Sequence, residues 1–132
     1  YLYRDQEKFK NHSNLVVRDF SDEISALLQN ADLAISRAGA GAISELMATK
    51  TPSILIPFPQ SADHHQELNA AYMARFGGAV IVHQHNPKEN VLKDIISNLF
   101  NSDSLIRMKS NMQNHEFINT QKKILEIIKS IS

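Results

Sequence analysis

The residues with the clearest chemical potential form the run Ser36-Arg37-Ala38-Gly39-Ala40-Gly41-Ala42, followed by Ile43-Ser44-Glu45. Nearly every side chain in the run is small, so the backbone N–H groups stay open to a ligand. A helix starting there adds its unpaired first-turn amides and the positive end of its dipole. Such a turn suits a phosphate or pyrophosphate. The spacing departs from the dinucleotide fingerprint: Gly39 and Gly41 form G-x-G, but Ser44 stands where a third glycine would be, and the lysine of a P-loop is missing. A tight strand-to-helix connection would use the same glycines. Glu45 sharpens the reading. Placed in the first turn of the helix, its carboxylate could reach beside a phosphate and accept two hydrogen bonds from a sugar diol, and a diphosphate next to a ribose is a nucleotide. Complementing the helix dipole would also account for that acid.

A second polar concentration is Asp63-His64-His65-Gln66-Glu67-Leu68-Asn69. Neighbouring histidines on a helix point roughly 100° apart, which makes His64 and His65 a poor chelating pair. His83 and His85 could share a strand face, but no third ligand accompanies them, so no metal site is expected. Hydrogen bonding to sugar hydroxyls suits His65 and Gln66 better. Phe20 and Ser21 follow the first apolar run and could border a base; packing of Phe20 on a helix begun by Ser21 is the simpler reading.

Short branched runs alternating with helical spacing must position these groups. Leu15-Val16-Val17, Leu33-Ala34-Ile35, Ser53-Ile54-Leu55-Ile56 and residues 79–82 read as strands. The third, a near-continuous apolar run closed by Pro57 and Pro59, has the character of a central parallel strand buried on both faces. Between them, Ser21 can cap a helix with Ile24, Leu27 and Leu28 on one face, and the small-residue loop leads into a helix with Ile43, Leu46 and Met47 inward. Asp63 can cap a helix that Gly77-Gly78 ends. Asn86 and Pro87 open another, with Val91, Leu92, Ile95, Ile96 and Leu99 as its stripe. Two more helical patterns cover residues 104–114 and 116–131. Strands joined by helical crossovers predict an α/β fold with a Rossmann-like open parallel sheet and flanking helices, and ligands then bind beyond the carboxyl ends of the strands.

A chain of 132 residues accommodates one domain with a real core. Lysine plus arginine and aspartate plus glutamate number 14 each, so no net field points to nucleic acid. Cysteine is absent, which removes thiolate nucleophiles, thiolate metal ligands and disulfides. The apolar runs are far shorter than the roughly 20 residues that span a bilayer. The opening residues, from Tyr1 to Lys10, are polar and carry no element signature, as expected of a chain cut from a longer one.

Taken in order, Ala31-Asp32-Leu33, Ser36-Arg37-Ala38-Gly39-Ala40, Ser44-Glu45, Pro52, Pro57-Phe58, Asp63-His64-His65-Gln66 and Asn69-Ala70 resemble the carboxyl-terminal domain of MurG-type glycosyltransferases, of glycosyltransferase family 28. The likeness runs from about Phe20 to Gly78. It implies the C-terminal half of a GT-B enzyme, in which two Rossmann-like domains face a cleft and this one holds UDP-N-acetylglucosamine (UDP-GlcNAc). Carried over by position, Phe20 and Ser21 would border the uracil. Gly39, Ala40, Gly41, Ala42, Ile43 and Ser44 would offer amides to the pyrophosphate, and Glu45 would hold the ribose hydroxyls. His65 and Gln66 would touch the N-acetylglucosamine, while Arg37 would brace the loop or add positive charge. His65 stands where some relatives have glutamine, and Ala42 lacks a hydroxyl that relatives often carry.

The implied activity is that of an inverting N-acetylglucosaminyltransferase converting lipid I to lipid II in peptidoglycan synthesis, hence in cell shape and division. It needs no cofactor or metal and works at the cytoplasmic face of the bacterial inner membrane, where the enzyme is peripheral. The acceptor site for the lipid-linked muramyl-pentapeptide and the candidate base belong to an amino-terminal domain that this sequence lacks. No catalytic residue is therefore expected in this chain, and residues 1–132 alone are expected to be inactive. Other readings are a donor-binding subunit of a split GlcNAc transferase, another GT-B sugar-nucleotide enzyme, or a non-catalytic nucleotide-binding module.

Overall fold

The computed structural model describes residues 13–17, 21–61, 64–85, 90–114 and 129–130. Among the described residues the elements run α1 (Ile24–Asn30), β1 (Ala34–Ser36), α2 (Ala40–Thr49), β2 (Ser53–Leu55), α3 (His65–Arg75), β3 (Ala79–Ile81), α4 (Val91–Phe100) and α5 (Ser104–Asn114). The three strands form one parallel sheet in the order β1-β2-β3, with Ala34, Ser53 and Ala79 in register. This is the predicted α/β architecture.

Each sheet face is covered by its own helices, because alternate strand residues point to opposite sides. On one face Leu55 and Ala79 pack with Ile43 and Leu46 of α2, Ala70 and Met73 of α3, and Met112 of α5. On the other, Ile54 packs with Val82, Leu99 and Met108, and the predicted α4 stripe of Val91, Leu92, Ile95 and Ile96 lines the same cluster. β2 is buried along its whole length, Ser53 included, as expected of its near-continuous apolar run.

Two helix ends are set by left-handed residues. Gly77, at φ 75°, follows α3 and takes a conformation that suits glycine. Lys50 closes α2 at φ 56°, ψ 41°, with its N–H directed to the Leu46 and Met47 carbonyls. The α2 end is tied to α1 through Thr51, whose Oγ1 donates to the Leu28 carbonyl at 2.8 Å and lies 2.7 Å from Thr49 Oγ1.

Several sequence expectations change. Leu15-Val16-Val17 is not a strand: all three side chains are exposed, Val16 at 76%, so the segment lacks the covered face that holds a parallel strand. α1 starts after Ser21, with Glu23 at the cap, and Ile24 and Leu27 are exposed while Leu28 alone of the predicted face packs inward. The small-residue loop is shorter than its composition suggests, because α2 already begins at Ala40. Asp63, Asn86 and Pro87 lie outside the described residues, as does nearly all of the final helical pattern; α4 is entered through Asn90.

Candidate functional site

The carboxyl end of β1 leads directly into α2, and the connection is made of backbone. Gly39, in extended conformation at φ −66° and ψ 153°, is the cap, and no side chain bonds to the helix end. The first intrahelical bond is the one from Ile43 N–H to the Gly39 carbonyl, at 3.0 Å. The amides of Ala40, Gly41 and Ala42 precede it, so three donors and a partial positive charge of about half a unit stand together at the turn. A Cβ built on Gly39 or Gly41 would meet nothing within 4 Å. The approach to the amides is thus open, which is what an anion needs. Ile43 and Ser44, the last residues of the expected amide run from Gly39 to Ser44, lie within α2 beyond these three amides. Ile43 N–H is already engaged and its side chain is buried at 6% exposure, making it the anchor that seats the helix on the sheet.

Glu45 is the sixth residue of α2, in the second turn rather than the first. The helix starts earlier than the composition of the loop suggests, and the acid moves one turn inward with it. Dipole complementation fades beyond the first turn, so that explanation for the carboxylate loses its force. Glu45 is exposed and lies four residues after Gly41, on the same helix flank. Helical side chains lean towards the amino terminus, which directs the carboxylate along the flank that Gly41 leaves bare and towards the amides.

The loop after β2 is braced against this turn. Arg37 donates through Nη1 to the carbonyls of Ile56 at 3.2 Å and Pro57 at 3.3 Å, and its guanidinium lies 5.6 Å from the centre of the Phe58 ring. Of its two expected roles, the observed one is bracing. The Phe58 N–H then donates to Gln66 Oε1 at 2.9 Å, and Gln66 N–H donates to Ser61 Oγ at 3.4 Å. Gln66 is thus held at the loop through its Oε1 and its own N–H. His65 opens α3 as an exposed residue. His64 before it holds a left-handed conformation at φ 57°, a strained geometry of a kind that clusters at functional loops.

Asn69 received no role from sequence, yet it closes the arrangement. Its Nδ2 donates to the carbonyl of the fully buried Ala38 at 2.9 Å, tying α3 to the residue just before the Gly39 cap. Its position four residues after His65, on one helical face, was the available signal. Ser21 stands apart from this network: its Oγ accepts from Glu23 N–H at 3.2 Å, closing the turn into α1. Phe20 lies outside the described residues. His83, exposed beyond β3, faces Glu67 Oε1 at 3.5 Å.

A parallel sheet with a bare glycine turn beyond its first strand, and a second loop cross-braced to it, defines the class: a Rossmann-like α/β domain with its candidate site at the carboxyl ends of the strands. Residues 2–127 match the family model described as glycosyltransferase family 28 C-terminal domain. The chain belongs to that family. It is 72% identical over 131 residues to a protein of Prochlorococcus marinus strain NATL2A named UDP-N-acetylglucosamine--N-acetylmuramyl-(pentapeptide) pyrophosphoryl-undecaprenol N-acetylglucosamine transferase, covering 99% of this chain and 37% of that one. A Synechococcus protein of strain CC9605 with the same name is 55% identical over 111 residues, which is 77% of this chain and 31% of the relative. The crystal structure of Acinetobacter baumannii MurG superimposes with a TM-score of 0.77 at 28% identity, over 87% of this chain and 35% of that one. The chain thus spans about a third of the length of these relatives.

Proposed function

We propose that this chain is the donor-binding part of an inverting N-acetylglucosaminyltransferase that converts lipid I to lipid II, and that its ligand is UDP-GlcNAc. The diphosphate sits against the amides of Ala40, Gly41 and Ala42. Glu45 accepts hydrogen bonds from the ribose hydroxyls, His65 and Gln66 meet the N-acetylglucosamine, and Phe20 with Ser21 borders the uracil. The observation that carries this reading is the geometry of α2: three uncapped amides at one end and, one turn further along the flank bared by Gly41, an exposed carboxylate. Together these fit a nucleoside diphosphate better than either fits alone.

In the whole enzyme a base outside this chain removes the proton from an acceptor-sugar hydroxyl as its oxygen attacks the anomeric carbon. The new C–O bond forms on the opposite face, the bond to the β-phosphate oxygen breaks, and UDP departs with the electron pair. Charge growing on that oxygen is stabilised by the fixed amides and dipole of α2, a role that calls for no metal or cofactor. The lipid-linked muramyl-pentapeptide acceptor is held by the complementary part, and the full-length protein is peripheral on the cytoplasmic face of the membrane. No described helix is long and apolar enough to cross a membrane.

Titration calorimetry of the chain with UDP and with CMP tests the donor site. Weak but measurable UDP binding, clearly tighter than CMP binding, is expected. Equal affinity for the two, or no binding at millimolar nucleotide, would count against the assignment.

A further inference from the structure

The parallel strands place their amino ends on one side of the sheet, opposite the Gly39 turn. There, beside the start of β3, α4 and α5 border a cavity of about 380 Å³, within the size range of small-molecule sites. Ala79 and Val80 of β3, Leu99 of α4 and Met108 of α5 give it an apolar wall, and all but Val80 are buried. Gly77 closes one side. Its carbonyl accepts from Asn111 Nδ2 at 3.5 Å, and a Cβ on this glycine would stand 2.5 Å from that nitrogen.

The flank of α5 turned to the cavity is polar where an apolar stripe would be expected. Ser104, Arg107, Met108 and Asn111 follow one another there at helical spacing, while Ile106 is left 71% exposed. Departures from inward-apolar patterning concentrate at functional positions. Arg107 is also held in place: its Nη2 donates to Ser104 Oγ at 2.9 Å, and Ser104 Oγ lies 2.8 Å from Ser102 Oγ in the α4–α5 turn. Of the five N–H groups of a guanidinium, the remainder reach no carboxylate among the described residues. None of the residues lining the cavity is acidic.

We propose that this cavity is a second ligand site, for a small monoanion with an apolar body, a short-chain or aromatic carboxylate in chemical class. The apolar body lies against Val80, Leu99 and Met108, and the carboxylate takes the unused donors of Arg107, whose planar fork matches its two oxygens. The inference does not rest on the donor reading. α3, with 11 residues and a length of about 16 Å, separates the Gly77 side of the cavity from His65 and Gln66.

Methionine-methyl NMR tests it, on the chain joined to the remainder of the NATL2A relative, titrated with hexanoate, hexanol or hexylammonium. Met108 reports on the cavity, and Met47, packed on the opposite face of the sheet, is the control. Hexanoate is expected to shift Met108 saturably in the millimolar range, to leave Met47 unmoved, and to bind at least about fivefold tighter than hexanol or hexylammonium. Arg107→Ala should remove that preference without changing hexanol binding, and added salt should weaken hexanoate alone. A Met108 signal untouched by millimolar hexanoate overturns the proposal. So does hexanol binding as tightly as hexanoate, or a preference that survives Arg107→Ala. Should Arg107→Ala lower the thermal midpoint, Arg107→Gln, which keeps a donor for Ser104 and loses the charge, decides by the same comparison.

Discussion

At the scale of single side chains, Glu45 is proposed to meet the ligand and Asn69 ties the fold. If Glu45 holds a ribose diol, Glu45→Ala weakens UDP binding about tenfold or more, as loss of charge-assisted hydrogen bonds does, and leaves 2′,3′-dideoxy-UDP binding nearly unchanged. Equal losses for the two nucleotides in calorimetry would remove the ribose role. Asn69→Ala strips the buried Ala38 residue of the donor to its carbonyl. It should cost about 1–3 kcal/mol in urea unfolding and weaken UDP as well, since the Gly39 turn loses its tether. Arg37 belongs beside Asn69 in this respect, because its guanidinium reaches the Ile56 and Pro57 carbonyls. The resemblance foresaw a brace at Arg37 but not the carbonyls it reaches, and nothing foresaw the Asn69 bond, since each joins positions 19 or more apart in the chain.

At the scale of elements, α2 connects the core to the site. Ile43 and Leu46 are buried beneath it while Gly41, Ser44 and Glu45 stay exposed. Leu46→Ala, at a side chain 1% exposed, should lower stability by about 2–5 kcal/mol. Two glycines then separate by position. Gly41→Ala adds a Cβ that touches nothing and should raise the thermal midpoint, by an amount worth up to about 1 kcal/mol. Gly78→Ala places its Cβ 2.8 Å from Phe76 Cε2 and 2.9 Å from Met112 Cγ, and should destabilise by about 1–3 kcal/mol. A thermal melt of both variants checks the pair. The helix stripes of α2 and α4 and the buried β2 were legible in sequence because hydrophobic period reports a local geometry. The start of α2 was less so: alanine and glycine suit a loop and a helical first turn alike, and packing of Ile43 and Leu46 on the sheet selected the helix.

At the scale of the whole molecule, binding and transfer separate. The chain carries the turn and carboxylate proposed for the donor, and the base and acceptor site are assigned to the remainder of the longer relatives. UDP-GlcNAc with a lipid-linked muramyl acceptor should therefore yield no product with the chain alone, and joining the remainder of the NATL2A relative should restore transfer. Product formed by the short chain unaided would contradict the division. What residue order determined here was local and repetitive: strand and helix alternation, the small-residue turn, the family motifs in sequence. Tertiary structure alone decided that Glu45 stands a turn deeper, that Ile43 N–H is already engaged, which carbonyls Arg37 and Asn69 reach, and that Leu15-Val16-Val17 pairs with no strand among the described residues. The division has a physical cause. Periodicity follows from the geometry of one segment, whereas the pairing of a given N–H with a given carbonyl depends on how distant segments pack.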